Sequence, residues 1–272
     1  MEAAVSTIDL LAKHNAQGVG IGEVADDLRV PKISGDDLSG VSLAISFGGD
    51  GTLLRCANLC CEAGVPILGV HFGRFGFVTQ CRFEDLPTVF EKFFKGESRY
   101  QSRMMIMADI SRAGAPVAAL HALNEIALHR GQDGNLITVH ITIDGRAVTA
   151  YPADGLLIST ATGSTGYNLS VGGPILDPEV DAMVMCAIAP HTLSARPLVL
   201  ESYSVVDLHL NEWETGTITA DGQARINLAA GDHIRVQRSP YTTKLIAVEE
   251  RDFLYKLRDR LLWHHHPLGG LS

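Results

Sequence analysis

The stretch Val41-Ser42-Leu43-Ala44-Ile45-Ser46-Phe47-Gly48-Gly49-Asp50-Gly51-Thr52-Leu53-Leu54 decides how this chain is read. Val41, Leu43, Ile45 and Phe47 alternate with Ser42, Ala44 and Ser46, and that period predicts a strand over 41–47 with one apolar face. Glycines follow at its C-terminal end. Leu53, Leu54, Ala57, Cys60 and Cys61 then recur at helical spacing up to Gly64, a helix stop. A strand, a glycine-rich turn and a helix aim backbone N–H groups at an anion. Gly48, Gly49, Gly51 and Thr52 are therefore candidate phosphate-binding residues. Asp50, flanked by glycines and with Thr52 able to cap the helix, is expected to hold its carboxylate open to a ligand. An ordinary tight turn is the plainer alternative. Residues 65–70 read as the next strand, followed by the loop 71–77. In an open parallel sheet, ligands sit beyond the carboxyl ends of strands, where both loops fall.

A second phrase lies more than a hundred residues away: Thr160-Ala161-Thr162-Gly163-Ser164-Thr165-Gly166-Tyr167-Asn168-Leu169-Ser170, with Gly172-Gly173-Pro174 behind it. Glycines let backbone approach a ligand and hydroxyls supply short hydrogen bonds, which suits phosphate and ribose. Two such phrases suggest a nucleotide site closed from both sides.

The chain has 272 residues, 46% hydrophobic, and a net charge of −9. That is enough for a good core and two domains. An acidic chain without a long Lys/Arg run is a poor nucleic-acid binder. No apolar stretch is long enough to span a membrane, and no basic-then-apolar leader opens the sequence. Five cysteines, an odd number, read as free thiols of a cytoplasmic protein. Cys56, Cys60 and Cys61 fit one apolar helix face better than a metal site, and His264–His266 fits a surface tail. No metal-ligating set is expected.

Residues 3–14 and 84–95 carry helical periodicity. After Gly96 short β-rich runs dominate: 102–110, 117–129, 136–143, 156–160, 183–188, 205–210 and 234–236. Asp144-Gly145 is a hairpin signal. Helical spacing returns over 251–261. The expected fold is an α/β Rossmann-like N-terminal domain over 1–98, joined by the returning helix 251–262, plus a mostly antiparallel β-rich domain over 99–250. The site is expected between them. The Val41–Phe47 strand should have neighbours on both sides, yet residues 1–14 read as helix and 18–29 offer at best one short strand. The sheet is therefore expected to lack its first strand, and an upstream strand-forming segment is expected to raise stability and activity.

These residues resemble the NAD kinase family. Gly48–Thr52 resembles its GGDGT motif, Asn124-Glu125 its NE motif, and Thr160–Ser170 its long Thr/Gly/Ser signature. Asp154-Gly155, Asp221-Gly222-Gln223 and the Gly73–Phe77 loop also resemble family positions. The resemblance implies phosphoryl transfer to the 2′-hydroxyl of the adenosine ribose of NAD, giving NADP, from ATP or polyphosphate with a divalent cation such as Mg²⁺. It implies Asp50 as base, orienting the hydroxyl and accepting its proton. It implies dinucleotide contacts at Asp50, Gly51, Phe77, Asn124, Glu125, Asn135, Asp154, Thr165, Gly166, Tyr167, Asn168, Leu169, Ser170 and Gln223. Arg55 would neutralise phosphate charge or lie on a solvated helix face. Glu125 would contact the dinucleotide or serve as a structural acid. Tyr167 would stack on the ligand or be a core aromatic. A homodimer or homotetramer joined through the β-rich domain is implied too; in the sequence itself, the apolar runs 183–188 and 191–200 could pack between subunits.

Ala161 stands where the family signature has Pro, Gly166 where it has Ala, and Pro152 where many members carry a basic residue. GGDGT alone also fits a diacylglycerol or sphingosine kinase, against which the long signature and the acidic surface argue. A catalytically idle NAD-binding protein is the other rival, and the intact Asp50 argues against it.

Overall fold

The structure is a computed structural model. It describes all residues except 1, 36, 74–75, 80, 132–133, 249–252 and 262–272. His264–His266, Arg74 and Phe75 thus lie outside the described residues. An α/β N-terminal part is joined to a β-rich antiparallel part.

In the first part, Ala44–Phe47, Ile67–His71 and Cys81–Arg82 pair in parallel. Alternation on Ile67–His71 sends side chains to both faces, and both are covered. Ile67 meets the helix Asp50–Cys60 through Leu53, Leu54, Ala57 and Cys60. Leu68 and Val70 meet the helices Glu2–Lys13 and Leu86–Phe94 through Leu10, Leu11, Leu86, Val89 and Phe90. Each such buried aliphatic or aromatic side chain contributes about 1.5–3 kcal/mol of transfer free energy. At Gly69 any side chain would strike Leu53 and Thr79, so its absence sets how close the helix lies to the sheet.

The strand expected over 41–47 is shorter, Ala44–Phe47, and both its faces pack. Val41 and Ala44 join the helix-side cluster, while Leu43, Ile45 and Phe47 join the opposite one. Among the described residues it pairs only with Ile67–His71, at the edge of a nine-stranded sheet, so the second neighbour that a doubly wound sheet would supply does not stand beside it. Gly20–Ile21 and Lys32–Ile33 pair with each other instead, around a short helix Glu23–Leu28.

The strand Asp232–Ala247 joins the two parts. It pairs along its length with Arg99–Arg112, at its start with Val206–His209, and at its end in parallel with Ile67–His71. Only 234–236 were expected to be strand. The longer course is masked in sequence by Ser239-Pro240, which falls at a break in register between Arg238 and Thr242. A six-stranded antiparallel sheet faces the large one. The sandwich core holds Ile106, Ala108 and Ile110 from one sheet against Ile126, Leu128, Leu156 and Ile158 from the other.

Two further expectations need correction. The run 117–129 is two strands, Ala115–Ala122 and Glu125–Arg130, broken at Leu123-Asn124 because those backbone N–H groups bond a side chain rather than a ladder. The strand Ala182–Ile188 is an interior strand buried almost throughout, so it offers no face to a partner subunit.

Candidate active site

Asp50 is the first residue of its helix. Gly49 is the N-cap and makes no side-chain cap, so neither Thr52 nor any other side chain takes that role. A carboxylate here is favoured by the helix dipole. It is half-buried and already engaged, where the sequence suggested a fully open carboxylate. The backbone N–H groups of Phe77 (2.8 Å), Val78 (3.4 Å) and Thr79 (3.0 Å) and the Thr79 hydroxyl (3.0 Å) all donate to it. The turn 76–79 folds over the helix start, and its N–H groups need acceptors that Asp50 provides. Gly76 makes this possible, because a methyl there would collide with the Asp50 carboxyl group. Oδ2 accepts only from Phe77 among these donors, which leaves it a lone pair for a ligand hydroxyl.

Around Asp50, Gly49 and Gly51 have open space where a side chain would stand, while Gly48 packs on Thr52 with φ +152°. Thr52 and Arg55 are exposed on the helix. Phe77 is half-buried and packs on the helix-side core. The Lys256 ammonium of the terminal helix Phe253–Arg260 donates to its carbonyl.

The second half of the site is a turn tied down by one carboxylate. Asp221, with φ +50°, accepts from the backbone N–H groups of Leu123 (2.9 Å), Asn124 (2.8 Å) and Glu125 (3.1 Å). Asn58 of the Asp50 helix donates to the same carboxylate at 3.2 Å. Burial still pushes the Asp221 pKa above the usual range, against these hydrogen bonds. The Gln223 amide donates to the Gly51 carbonyl at 3.0 Å. One turn, 221–223, thus touches both the Asp50 helix and the Asn124-Glu125 segment.

The Thr/Gly/Ser segment closes on that same place. Thr160 donates from its hydroxyl to Leu123 O (2.6 Å) and from its N–H to Asn124 O (2.8 Å). Gly163 lies so close to the Asn124 backbone that only glycine fits. A side chain on Gly166 would press on the Asn124 amide and the Glu125 carboxylate. Asn124 Oδ1 and Glu125 Oε2 are buried there without a hydrogen-bond partner. Burial, and then the Asp221 charge, push the Glu125 pKa up to about 7, against a hydrogen bond from the Tyr167 backbone.

Glu125 opens onto a cavity of about 480 Å³, which it lines together with Ala127, His129, Tyr167, Thr217, Thr219, Gly222 and Arg225. Period-two alternation explains the lining: Ile126, Leu128 and Ile218 point into the sandwich, so Glu125, Ala127, His129, Thr217 and Thr219 point out. Tyr167 is half-buried and stacks on His129 at 5.9 Å, with the rings 22° apart. Burial and the Arg225 charge hold the His129 pKa below its usual value.

Other expected contacts fall elsewhere. Asn168 is fully buried. Its amide donates to Ser164 O and Pro174 O and accepts from the Cys186 thiol, so it braces the loop and does not line the 480 Å³ cavity. Asn135 is exposed and does not line the cavity. Thr165 faces a small void beside Phe77 and the buried Arg103. Leu169 is half-buried and Ser170 exposed at the end of the short helix Tyr167–Ser170. Asp154 pairs with Arg130 at 3.0 Å. His129, Thr217, Thr219, Arg225, Thr79 and Asn58 were not singled out in the sequence. For His129 a signal existed: it is two positions beyond Ala127 and four beyond Glu125, hence on the same face.

Comparison with known proteins matches this geometry to one family. Residues 32–98 match the ATP-NAD kinase N-terminal domain, and residues 123–248 match the ATP-NAD kinase C-terminal domain. The chain is 37% identical over 259 residues to the NAD kinase of Geobacter sulfurreducens, covering 94% of this chain and 88% of that one. It belongs to the NAD kinase family. The NAD kinase of Geotalea daltonii is 38% identical over 222 residues, 81% of this chain and 78% of its own. Among solved structures, yeast NADH kinase complexed with NADH superimposes with a TM-score of 0.88 at 26% identity, covering 100% of this chain and 85% of that one. The Archaeoglobus fulgidus NAD kinase in complex with ATP shares the fold, with a TM-score of 0.68 at 24% identity over 90% of this chain and 96% of its own.

Proposed function

We propose that this chain is an NAD kinase, transferring a phosphoryl group to the 2′-hydroxyl of the adenosine ribose of NAD to give NADP. The observation that carries the reading is the joining of two half-sites. The Asp50 helix and the Asn124-Glu125 turn are tied together by Asp221 and Gln223, and the unpaired Oε2 of Glu125 and the amide nitrogen of Asn124 are left facing Gly166.

Each group then has a task. Oδ2 of Asp50, oriented by the 77–79 backbone, receives the ribose hydroxyl and accepts its proton as the new P–O bond forms. The leaving phosphate chain departs with the electron pair of the broken P–O bond. Little further covalent work is asked of the protein, and positioning dominates. Gly49 and Gly51 leave room for donor phosphates at the helix N-terminus. Asn124 Oδ1 suits an adenine amino group, Glu125 Oε2 a ribose hydroxyl, and Tyr167 a stacking face. Asp154, oriented by Arg130, and Gln223 border the dinucleotide.

ATP is the proposed donor, with polyphosphate the other candidate. Among the described residues no three His, Cys, Asp or Glu side chains form a metal cage. Mg²⁺ is therefore proposed to arrive on the donor phosphates, which together with water satisfy most of its coordination and neutralise charge. The division at 98/99 into a donor half and a dinucleotide half goes with this reading. Cytoplasmic residence is proposed from the free cysteines. No helix among the described residues is long and apolar enough to cross a membrane.

The test is direct. Purified protein with Mg²⁺ is offered NAD or diacylglycerol, with ATP or polyphosphate as donor. NADP should form from NAD, and its absence with both donors would overturn the reading. We also propose a homo-oligomer, now through the edge strand Leu198–Glu201 and the preceding loop, where Leu193, Leu198 and Val199 are exposed. Light scattering at micromolar concentration should give at least a dimer, and a monomer would refute it.

A further inference from the structure

Asn58 belongs to the Asp50 helix, two turns beyond the acid, and nothing about the reaction calls for it there. Its amide nitrogen donates to Asp221, while its amide oxygen is buried without a partner. A buried unpaired acceptor costs about 1–3 kcal/mol. A leucine or alanine would avoid that cost in a helix face otherwise made of Leu54, Ala57 and Cys61. The polar residue therefore does something that packing alone does not require.

What it touches says what. Asp221 holds the N–H groups of Leu123, Asn124 and Glu125, so its position sets the position of that turn. Asn58 links this carboxylate to the helix whose first residue is Asp50, and the Gln223–Gly51 hydrogen bond is a second, exposed link between the same two bodies. We propose that Asn58 is a positioning residue: through Asp221 it fixes the separation between the dinucleotide-binding turn and the Asp50 carboxylate. It touches neither substrate nor reacting atoms. The inference rests on the NAD kinase reading above.

The two ends of this link have different jobs, and that makes it testable. Asp221 shapes the dinucleotide pocket itself, so Asp221→Asn should weaken NAD affinity. Asn58 only relates that pocket to the base. Asn58→Ala should leave NAD affinity, measured by calorimetry on the full chain, within about twofold, while kcat falls by about 10-fold to 100-fold, the scale of a small misplacement of reacting groups. Asn58→Asp keeps the shape but replaces the donor by a second carboxylate facing Asp221. It should lose at least as much kcat, and a purely steric role would leave it near wild type. Wild-type protein assayed with ATP, Mg²⁺ and NAD separates the two readings. If wild type makes no NADP with ATP or with polyphosphate, the function is wrong. If wild type is active and either Asn58 variant, folded by its thermal melt, keeps kcat within twofold, or loses NAD affinity and kcat in parallel, the positioning role is wrong. Should Asn58→Ala not fold, Asn58→Asp alone decides on the same criteria.

Discussion

Replacing Asp50 by asparagine is expected to lower kcat by about 10²–10⁴-fold, the usual contribution of a general base, with NAD affinity little changed. The side chain keeps its shape but loses the ability to accept the ribose proton. It also trades one acceptor oxygen for an amide donor. That donor must face either the Phe77 N–H or the Thr79 N–H, both of which now donate to the carboxylate. A buried polar clash of this kind costs about 1–3 kcal/mol, so a lower melting temperature should accompany the kinetic loss. Gly76→Ala separates the two effects. It keeps the acid and its charge but drives a methyl into the carboxyl group. If orientation of Asp50 matters as argued, Gly76→Ala should also lose turnover. An Asp50→Asn enzyme that retains most of its kcat would remove Asp50 from the chemistry.

The glycines made much of this legible in the sequence. Gly48, Gly49 and Gly51 around Asp50, and Gly163 and Gly166 among hydroxyls, mark backbone that must come close to something. In the structure Gly163 and Gly166 come close to Asn124 and Glu125. The strand–turn–helix reading of 41–61 rested on local periodicity, and the parallel pairing with Ile67–His71 follows from the same pattern. What was illegible is long-range. That Asp50 is engaged depends on a turn 27 to 29 residues later. That the 117–129 run is broken at Leu123 depends on Asp221, close to a hundred residues on. Asn168 looked like a ligand group because it sits in a ligand-like phrase, yet the folding of that phrase onto Pro174 and Cys186 consumes it. Burial on both faces likewise hid which apolar runs are interior. The segment 183–188 reads as apolar whether it meets a partner or its own sheet.

Glu125→Gln is expected to make the protein more stable at pH 8, with the advantage vanishing in acid. Burial and the neighbouring Asp221 raise the Glu125 pKa in the folded protein from its ordinary 4.5 to about 7. Between those two values the folded state binds a proton that the unfolded state has released, so stability falls as pH rises. The cost is absent below about pH 4.5, grows toward pH 7 and is complete above it. At about 1.4 kcal/mol for each pH unit in that window, it amounts to about 3 kcal/mol. Glutamine carries no such penalty, so the stability difference between variant and wild type, from urea melts, should open by that order between pH 4.5 and 8. Asp221 is present in both proteins, and its own raised pKa largely cancels in the difference. The same substitution should weaken NAD binding, because the buried Oε2 now waiting without a partner would become a different group. Stability gained and affinity lost by one change would mean that the fold tolerates a costly buried carboxylate because the dinucleotide needs it. A stability difference that does not move with pH would show that Glu125 ionises normally, and its unpaired oxygen would then need another explanation.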